Sequence, residues 1–528
     1  VRCVILSYAD ELMQNGRSIG ENAPVLCLRY PQVDLDAAGE LLRPKTAYDV
    51  AADMEKLEEM RKKREHHLDA IIENTIKIQQ TDLRNSEFFS ALHRETTCYC
   101  FTTKAWYIWN EERWQRDDAG QIVELGKEAI KRIYSAVAHY PDDDRQKLIK
   151  HAMKSESTGG ITAMISLSQS ALAAPFTSLD ASPNLFNLTN GTLELDTLTF
   201  REHRKEDLLT KMSGVAYVPG TYCPKWRSHL DLIFASDLDL ILGFQVMCGY
   251  SLLATNPEQI FNLLWGRGLN GKSVTLQVLR TILGEYAIHI APETLMVKKF
   301  AEGPRSDIAR MAGARLITCT EGESEKRLAI GLLKAFTGAD PITVRSLYQT
   351  EFTFQPGGKI WYATNHKPQI PEHTLADWRR VLLWPFLVTI PPERRIKDYE
   401  THLLQEAPGI FQWMLEGLRR YRERGLCVPE KVREATRQYE EEQDPLGEWR
   451  AACTAEDPTS VLSFKDLYQN HQAWERAAYL DELTFKPMSS QRFGRLLGER
   501  YERVLQHGIP YYRGLRLVCQ GTLRGCVG

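Results

Sequence analysis

No C-x-x-C pair occurs in this 528-residue chain. Its eleven cysteines are scattered, and the one close spacing is Cys98-Tyr99-Cys100. Structural zinc sites are built on closely spaced ligand pairs, so the usual pattern for one is missing. The thiols read as reduced and mostly buried. No apolar run of about 18 residues is present, which argues against a helical membrane span. A charged-then-apolar leader is lacking too, so a cytoplasmic protein is expected. Val1 in place of Met leaves an alternative start codon, processing or a fragment open. Net charge is only −3, so any contact with nucleic acid has to come from local patches. Internal repeats and low-complexity tracts are also missing. Against these absences stand 43% hydrophobic and 26% charged residues, an ordinary globular composition. The length is too great for one core and suggests three or four domains.

The most informative stretch is Gly266-Arg267-Gly268-Leu269-Asn270-Gly271-Lys272-Ser273, which fits G-x-x-x-x-G-K-[ST] without a mismatch. Ile260 to Trp265 reads as a buried strand entering the loop. Val274 to Leu283 reads as a helix leaving it, with Gly284 as its stop. In that context the residues Gly266, Gly268, Asn270, Gly271, Lys272, Ser273 and Val274 form a phosphate cradle. Glycines let backbone N–H groups approach an anion, and the helix N-terminus favours negative charge. Lys272 can reach the β- and γ-phosphates of a nucleoside triphosphate, and the Ser273 hydroxyl can ligate Mg²⁺. ATP and Mg²⁺ are the expected cofactors.

A phosphate loop needs an acid at the end of a neighbouring strand to hold the metal and orient water. Arg315 to Thr320 is an apolar strand that ends in Glu321, with Glu323 two residues on, about 50 residues after Lys272. Glu321 is favoured as metal or water ligand, and the division of labour with Glu323 stays open. A third strand, Lys359 to Thr364, ends in Asn365, whose amide suits a γ-phosphate sensor. Arg379 and Arg380 precede a further apolar strand. An arginine reaching into a neighbour's site stabilises charge on a transferring phosphoryl group, which would require an oligomer. Which of the two acts stays open. Between acids and Asn365, alternation around Ser346 to Gln349 suggests a β-hairpin. Arg345 and Tyr348 at its tip suit phosphate contact and base stacking.

The chain organises around that core. Residues 1–80 read as an appendage, with a charged helical stretch from Ala51 to Gln80. Asp34 and Asp36 are too isolated to suggest a nucleotidyl-transfer site. Residues 81–223 carry α+β signals, among them an Asn190-Gly191 turn between alternating residues. Residues 224–425 alternate strands and helices, the pattern of a parallel α/β sheet. Residues 426–445 read as a helical linker, and 446–528 as a small helix-rich unit ending in a strand or wing. The expected fold is multidomain α/β.

The order of loop, acid strand, hairpin, Asn strand and paired arginines within about 115 residues resembles superfamily 3 helicases. More narrowly, it resembles the phage and plasmid primase-helicase C-terminal family, which includes the poxvirus primase-helicase. The residues carrying the likeness are Gly268 to Ser273, Lys334 to Arg345, Ala363 to Pro368 and Trp378 to Arg380. The resemblance covers roughly residues 81–520 and implies an AAA+-like, ATP-driven ring, a hexamer, moving on single-stranded or forked DNA during replication of a mobile element. It adds Lys334 to the candidate DNA contacts. It also implies a C-terminal winged helix with Ser489 to Arg500 as recognition helix and Arg492, Arg495 and Arg513 on DNA phosphates. Ala339 stands where many relatives carry a second glycine. Relatives often carry an N-terminal primase that 80 residues cannot house, so a separate primase or polymerase is an expected partner. An ATP-gated origin-recognition or loading factor with little unwinding, and an ATPase acting on protein partners, remain alternative readings.

Overall fold

The structure, a computed structural model, describes residues 81–136, 141–297, 305–320, 327–345, 351–370, 378–478 and 487–518. The appendage 1–80 lies outside them, as do Glu321, Glu323 and Tyr348. Among the described residues, 81–222 with Glu351 and 408–412 make one compact unit, and the remainder makes a second.

In the first unit, β1 (Thr97–Cys100), β2 (Ala105–Trp109) and β3 (Trp114–Arg116) form an antiparallel meander. Trp109 and Trp114 face each other across its second turn, rings 6.1 Å apart. Four helices, Asp82–His93, Gln121–Ala136, Asp142–Ser155 and Thr158–Ala171, share a core that includes Phe88, Phe89, Ile130, Leu148 and Met164. A second meander comprises β4 (Leu185–Leu188), β5 (Gly191–Glu194) and β6 (Thr199–Arg201). Its first turn differs from the sequence expectation by one residue. Leu188 pairs with Gly191, so Thr189 and Asn190 make the turn and Gly191 already belongs to β5. Asn190 is used otherwise: its amide accepts from Tyr217 N at 2.8 Å and donates to Tyr217 O at 3.0 Å.

The second unit is built on five parallel strands, β7 (Phe261–Trp265), β8 (Ala287–Ile290), β9 (Leu316–Thr320), β12 (Lys359–Thr364) and β13 (Val381–Pro385), in the order β13-β7-β12-β9-β8. Every residue of β12 and β13 is buried, as expected for strands covered on both faces. Strands β10 (Ile342–Arg345) and β11 (Glu351–Phe354) pair as a separate two-stranded sheet, the hairpin read from alternation, with Thr343 and Thr353 hydroxyls 2.8 Å apart.

The segment expected to be a linker does not stand apart. Its helix, Glu430–Gln443, buries Val432 and Tyr439. Tyr439 joins the core of the parallel sheet, and the Thr436 hydroxyl accepts from Leu383 N on edge strand β13 at 3.0 Å. The many Glu and Arg residues occupy the other face and hide this apolar spacing in a composition reading.

After it come helix Gly447–Cys453, β14 (Thr454–Ser463), helices Phe464–Ala478 and Ser490–Arg500, β15 (Glu502–Gln506) and β16 (Ile509–Leu517). The three strands form an antiparallel sheet, β14-β16-β15, over a core of Trp449, Leu467, Phe493, Leu497 and Leu515.

Candidate functional site

Parallel α/β sheets bind ligands beyond the carboxyl ends of their strands, where the strand order reverses. Here β7, the first strand of this sheet in chain order, lies between β13 and β12, so the residues following β7 and β12 meet at such a point. Trp265 is level with Thr364, which puts Gly266 and Asn365 side by side at that edge.

The loop after β7 turns into helix Lys272–Leu283 through Gly271, which has a left-handed backbone, φ 85°. Gly266 has no room for a side chain: a Cβ there would lie 2.0 Å from Phe386 O. Asn270 ties the loop to the strand beside it, donating to Arg267 O at 2.7 Å and Phe386 O at 2.9 Å. Its Oδ1 accepts from Lys272 Nζ at 3.0 Å. The same ammonium donates to Gly266 O at 2.6 Å and to Asn365 Oδ1 at 3.1 Å. Lys272 is 6% exposed, whereas its neighbour Ser273 is exposed at the start of the helix and Val274 is half-buried. Gly268 has open space where a side chain would be.

These contacts bring three sequence-identified residues, Asn270, Lys272 and Asn365, into one cluster although Asn365 is 93 residues from the lysine. The ammonium sits among oxygen acceptors that phosphate oxygens can replace, next to the N-terminus of a 12-residue helix. That chemistry fits a phosphate group.

The arginines fall elsewhere. Val381 pairs with Phe261 at the start of β7, so Arg379 and Arg380 stand at the sheet edge opposite the loop. Arg380 is half-buried and donates to the Thr337 hydroxyl at 2.9 Å; Arg379 is exposed and donates to Gln259 Oε1 at 2.7 Å. Strand β9 ends at Thr320, the residue before Glu321. Arg345 is exposed at the end of β10, and Lys334 is half-buried in helix Ile330–Thr337. In the C-terminal segment Arg492, Arg495 and Arg513 are exposed; Arg513 pairs with Glu502 at 3.1 Å and Arg495 approaches Glu499 at 4.0 Å. Among the described residues no cluster of three or more metal-ligating side chains occurs, and no helix is long and apolar enough to cross a membrane.

Sequence reasoning passed over two buried partners of the loop, His229 and Thr275. Thr275 was within reach, four residues after Gly271 in the helix. A lone histidine far upstream gives no signal.

Among the described residues, the larger of the two units carries a parallel α/β sheet with the Asn270, Lys272 and Asn365 cluster beyond the carboxyl ends of β7 and β12. A family model described as D5 N terminal like matches residues 86–235, and one described as a family of unknown function matches 264–380. A protein named "Putative helicase" from Acanthamoeba polyphaga mimivirus is 26% identical over 57% of this chain and 34% of its own length. Another of that name from Frog virus 3 is 30% identical over 42% of this chain and 25% of its own length. A "Putative primase" of African swine fever virus is 25% identical over 38% and 22%. The chain therefore spans about a third or less of these relatives. The apo structure of the NrS-1 C terminal region aligns over 81% of this chain and 98% of its own, at 12% identity and TM-score 0.46. At this low identity, the sequence matches support a member of the superfamily 3 helicase–primase family.

Proposed function

We propose that the chain is the motor of an ATP-dependent DNA helicase acting in replication. The observation that carries this is the Lys272–Asn365 contact at 3.1 Å, which joins the loop lysine to the amide expected to sense the γ-phosphate. The relatives' helicase and primase names agree with it. ATP supplies the bond whose hydrolysis drives the motor, with Mg²⁺ neutralising its phosphates. Lys272 holds the β- and γ-phosphate oxygens, the exposed Ser273 hydroxyl ligates the metal, and Asn365 orients the terminal phosphate or the attacking water. Glu321, with Glu323, completes the metal and water site.

Arg379 is the better finger of the two arginines, because Arg380 is tied inward to Thr337. From the far sheet edge neither serves its own loop, so the site is completed by a neighbouring copy in a ring, read as a hexamer. Lys334, Arg345 and Tyr348 face the translocating strand in this reading. The order helix, strand, two helices, two strands in 447–517 supports reading this unit as a winged helix. Helix Ser490–Arg500 would read DNA, with Arg492, Arg495 and Arg513 on phosphates. The working domains are then 81–223, an AAA+-like ATPase at 224–425 and a DNA-binding unit at 446–528.

Strand displacement on a forked duplex tests the proposal. Unwinding with ATP, and none with a non-hydrolysable analogue or with Lys272→Ala, is expected. Tight DNA binding without displacement would instead establish a nucleotide-gated loading factor. Hydrolysis indifferent to single-stranded DNA would point to a protein substrate.

A further inference from the structure

Behind the phosphate loop lies a second layer of contacts that no motif includes. His229, on helix Pro224–Ile233, is fully buried, and its Nε2 lies 2.9 Å from the Thr275 hydroxyl. That hydroxyl donates to Gly271 O at 2.9 Å, and Thr275 N donates to the same carbonyl at 2.9 Å. A hydroxyl has one proton to give. With that proton on Gly271 O, the Thr275 oxygen accepts from His229, which fixes the imidazole proton on Nε2. We infer that His229 is a positioning residue for the phosphate loop, holding the Gly271–Lys272 peptide in place through Thr275. This rests on the nucleotide reading of the loop.

Three observations support it. First, His229 Nδ1 is buried with no hydrogen-bond partner, and the centre of the imidazole lies 5.5 Å from the centre of the Trp226 ring and 5.5 Å from that of Tyr399. An apolar side chain would fill that space without leaving a polar atom unsatisfied, so packing alone does not call for histidine. Second, burial pulls the imidazole down to about 4, so it stays neutral and keeps one donor and one acceptor near neutral pH. Third, the imidazole limits the loop as well as supporting it. A Cβ on Gly271 would lie 2.7 Å from Ile233 Cγ2 and 3.1 Å from His229 Cε1.

The geometry gives this contact its function. A peptide is planar and trans, so its C=O and N–H point in opposite directions. Pinning Gly271 O inward, toward Thr275, turns the Lys272 N–H outward at the helix N-terminus, where an anion is received. Without His229 the Thr275 hydroxyl can rotate, and one restraint on that peptide is lost.

The test is the affinity of the full chain for fluorescent mant-ADP, with the KM and kcat of ATP hydrolysis measured beside it. His229→Leu is expected to weaken mant-ADP binding about tenfold, the equivalent of one hydrogen bond, and to raise KM with little change in kcat. His229→Gln places an amide donor where Nε2 stood and is expected to restore binding. Thr275→Val keeps the shape, removes the hydroxyl and should weaken binding to the same degree, and the double variant should be no weaker than either single one. Should His229→Leu not fold, Thr275→Val against Thr275→Ser decides by the same criterion. Wild-type affinity in His229→Leu or Thr275→Val, or a Gln variant as weak as Leu, overturns the inference while leaving the nucleotide reading intact. Failure of the unsubstituted chain to bind mant-ADP through Lys272 overturns both.

Discussion

Two buried lysines meet strand β12 at its opposite ends, and they differ in the partners that hold them. Lys359 begins the strand, is fully buried, and donates to Leu253 O and to Gly357 O at 3.2 Å beneath the Tyr250 ring, 4.8 Å away. Lys272 meets the other end through Asn365, and its acceptors belong to a loop and a side-chain amide at the rim of the sheet. Nearby Arg315 acts like Lys359: it donates to Leu252 O at 2.6 Å and lies 4.7 Å from the Tyr286 ring. Leu252 and Leu253 follow helix Leu238–Tyr250, so these two cations satisfy carbonyls just beyond its C-terminal end. Burial and the neighbouring Arg315 push the Lys359 ammonium well below its ordinary pKa. A buried cation alone therefore says nothing of function. What separates the two is that Lys359 donates to main-chain carbonyls, whereas two of the acceptors of Lys272, Asn270 and Asn365, are side-chain amides that can yield to a ligand.

That contrast can be broken by substitution. The largest effect is expected from Lys272→Ala, which should lower ATP hydrolysis by about 10²-fold or more while unfolding free energy stays within about 1 kcal/mol of the parent. Steady-state hydrolysis and urea titration check it; a collapse of stability would make Lys272 a second Lys359.

Next in size is a pH effect behind the loop. His229 titrates near 4 in the folded chain, below the ordinary 6.5, because of burial. The unfolded chain takes up this proton first. Stability from the neutral imidazole is thus present above pH 6.5 and lost as pH falls toward 4, by about 3 kcal/mol. Urea midpoints across that range should show the slope, and His229→Gln should remove its share.

Lys359→Met should cost about 2 kcal/mol by leaving carbonyls unsatisfied, with hydrolysis at low temperature unchanged. An equally stable variant would mean that the carbonyls find other donors. The smallest effect belongs to a cation that is exposed. Arg492→Ala should weaken DNA binding modestly and reduce its salt slope by about one, measured by fluorescence anisotropy at several salt concentrations.

The same contrast explains what could be read in the sequence. The loop was legible because its mechanics reside in consecutive residues, and β7, β9, β12 and β13 were legible as apolar runs. Asn365 was legible from its place at a strand end. Lys359 was not, since a lysine opening a strand looks like any surface lysine until the fold closes over it. His229 escaped for the same reason, its partner Thr275 being 46 positions away. Helix Glu430–Gln443 passed as a linker because Val432 and Tyr439 are few among charges. The hairpin at Thr189-Asn190 was found but misplaced by one residue, because Asn190 answers to Tyr217 rather than to the turn alone. Local signals are visible in order along the chain; contacts between distant positions become visible only when the fold supplies them.

One experiment addresses the contrast directly: calorimetric titration of ATP into the parent chain, Lys272→Ala and Lys359→Met under identical conditions. Binding with equal affinity in the parent and in Lys359→Met, and none in Lys272→Ala, is expected. Equal binding by Lys272→Ala and the parent would contradict it.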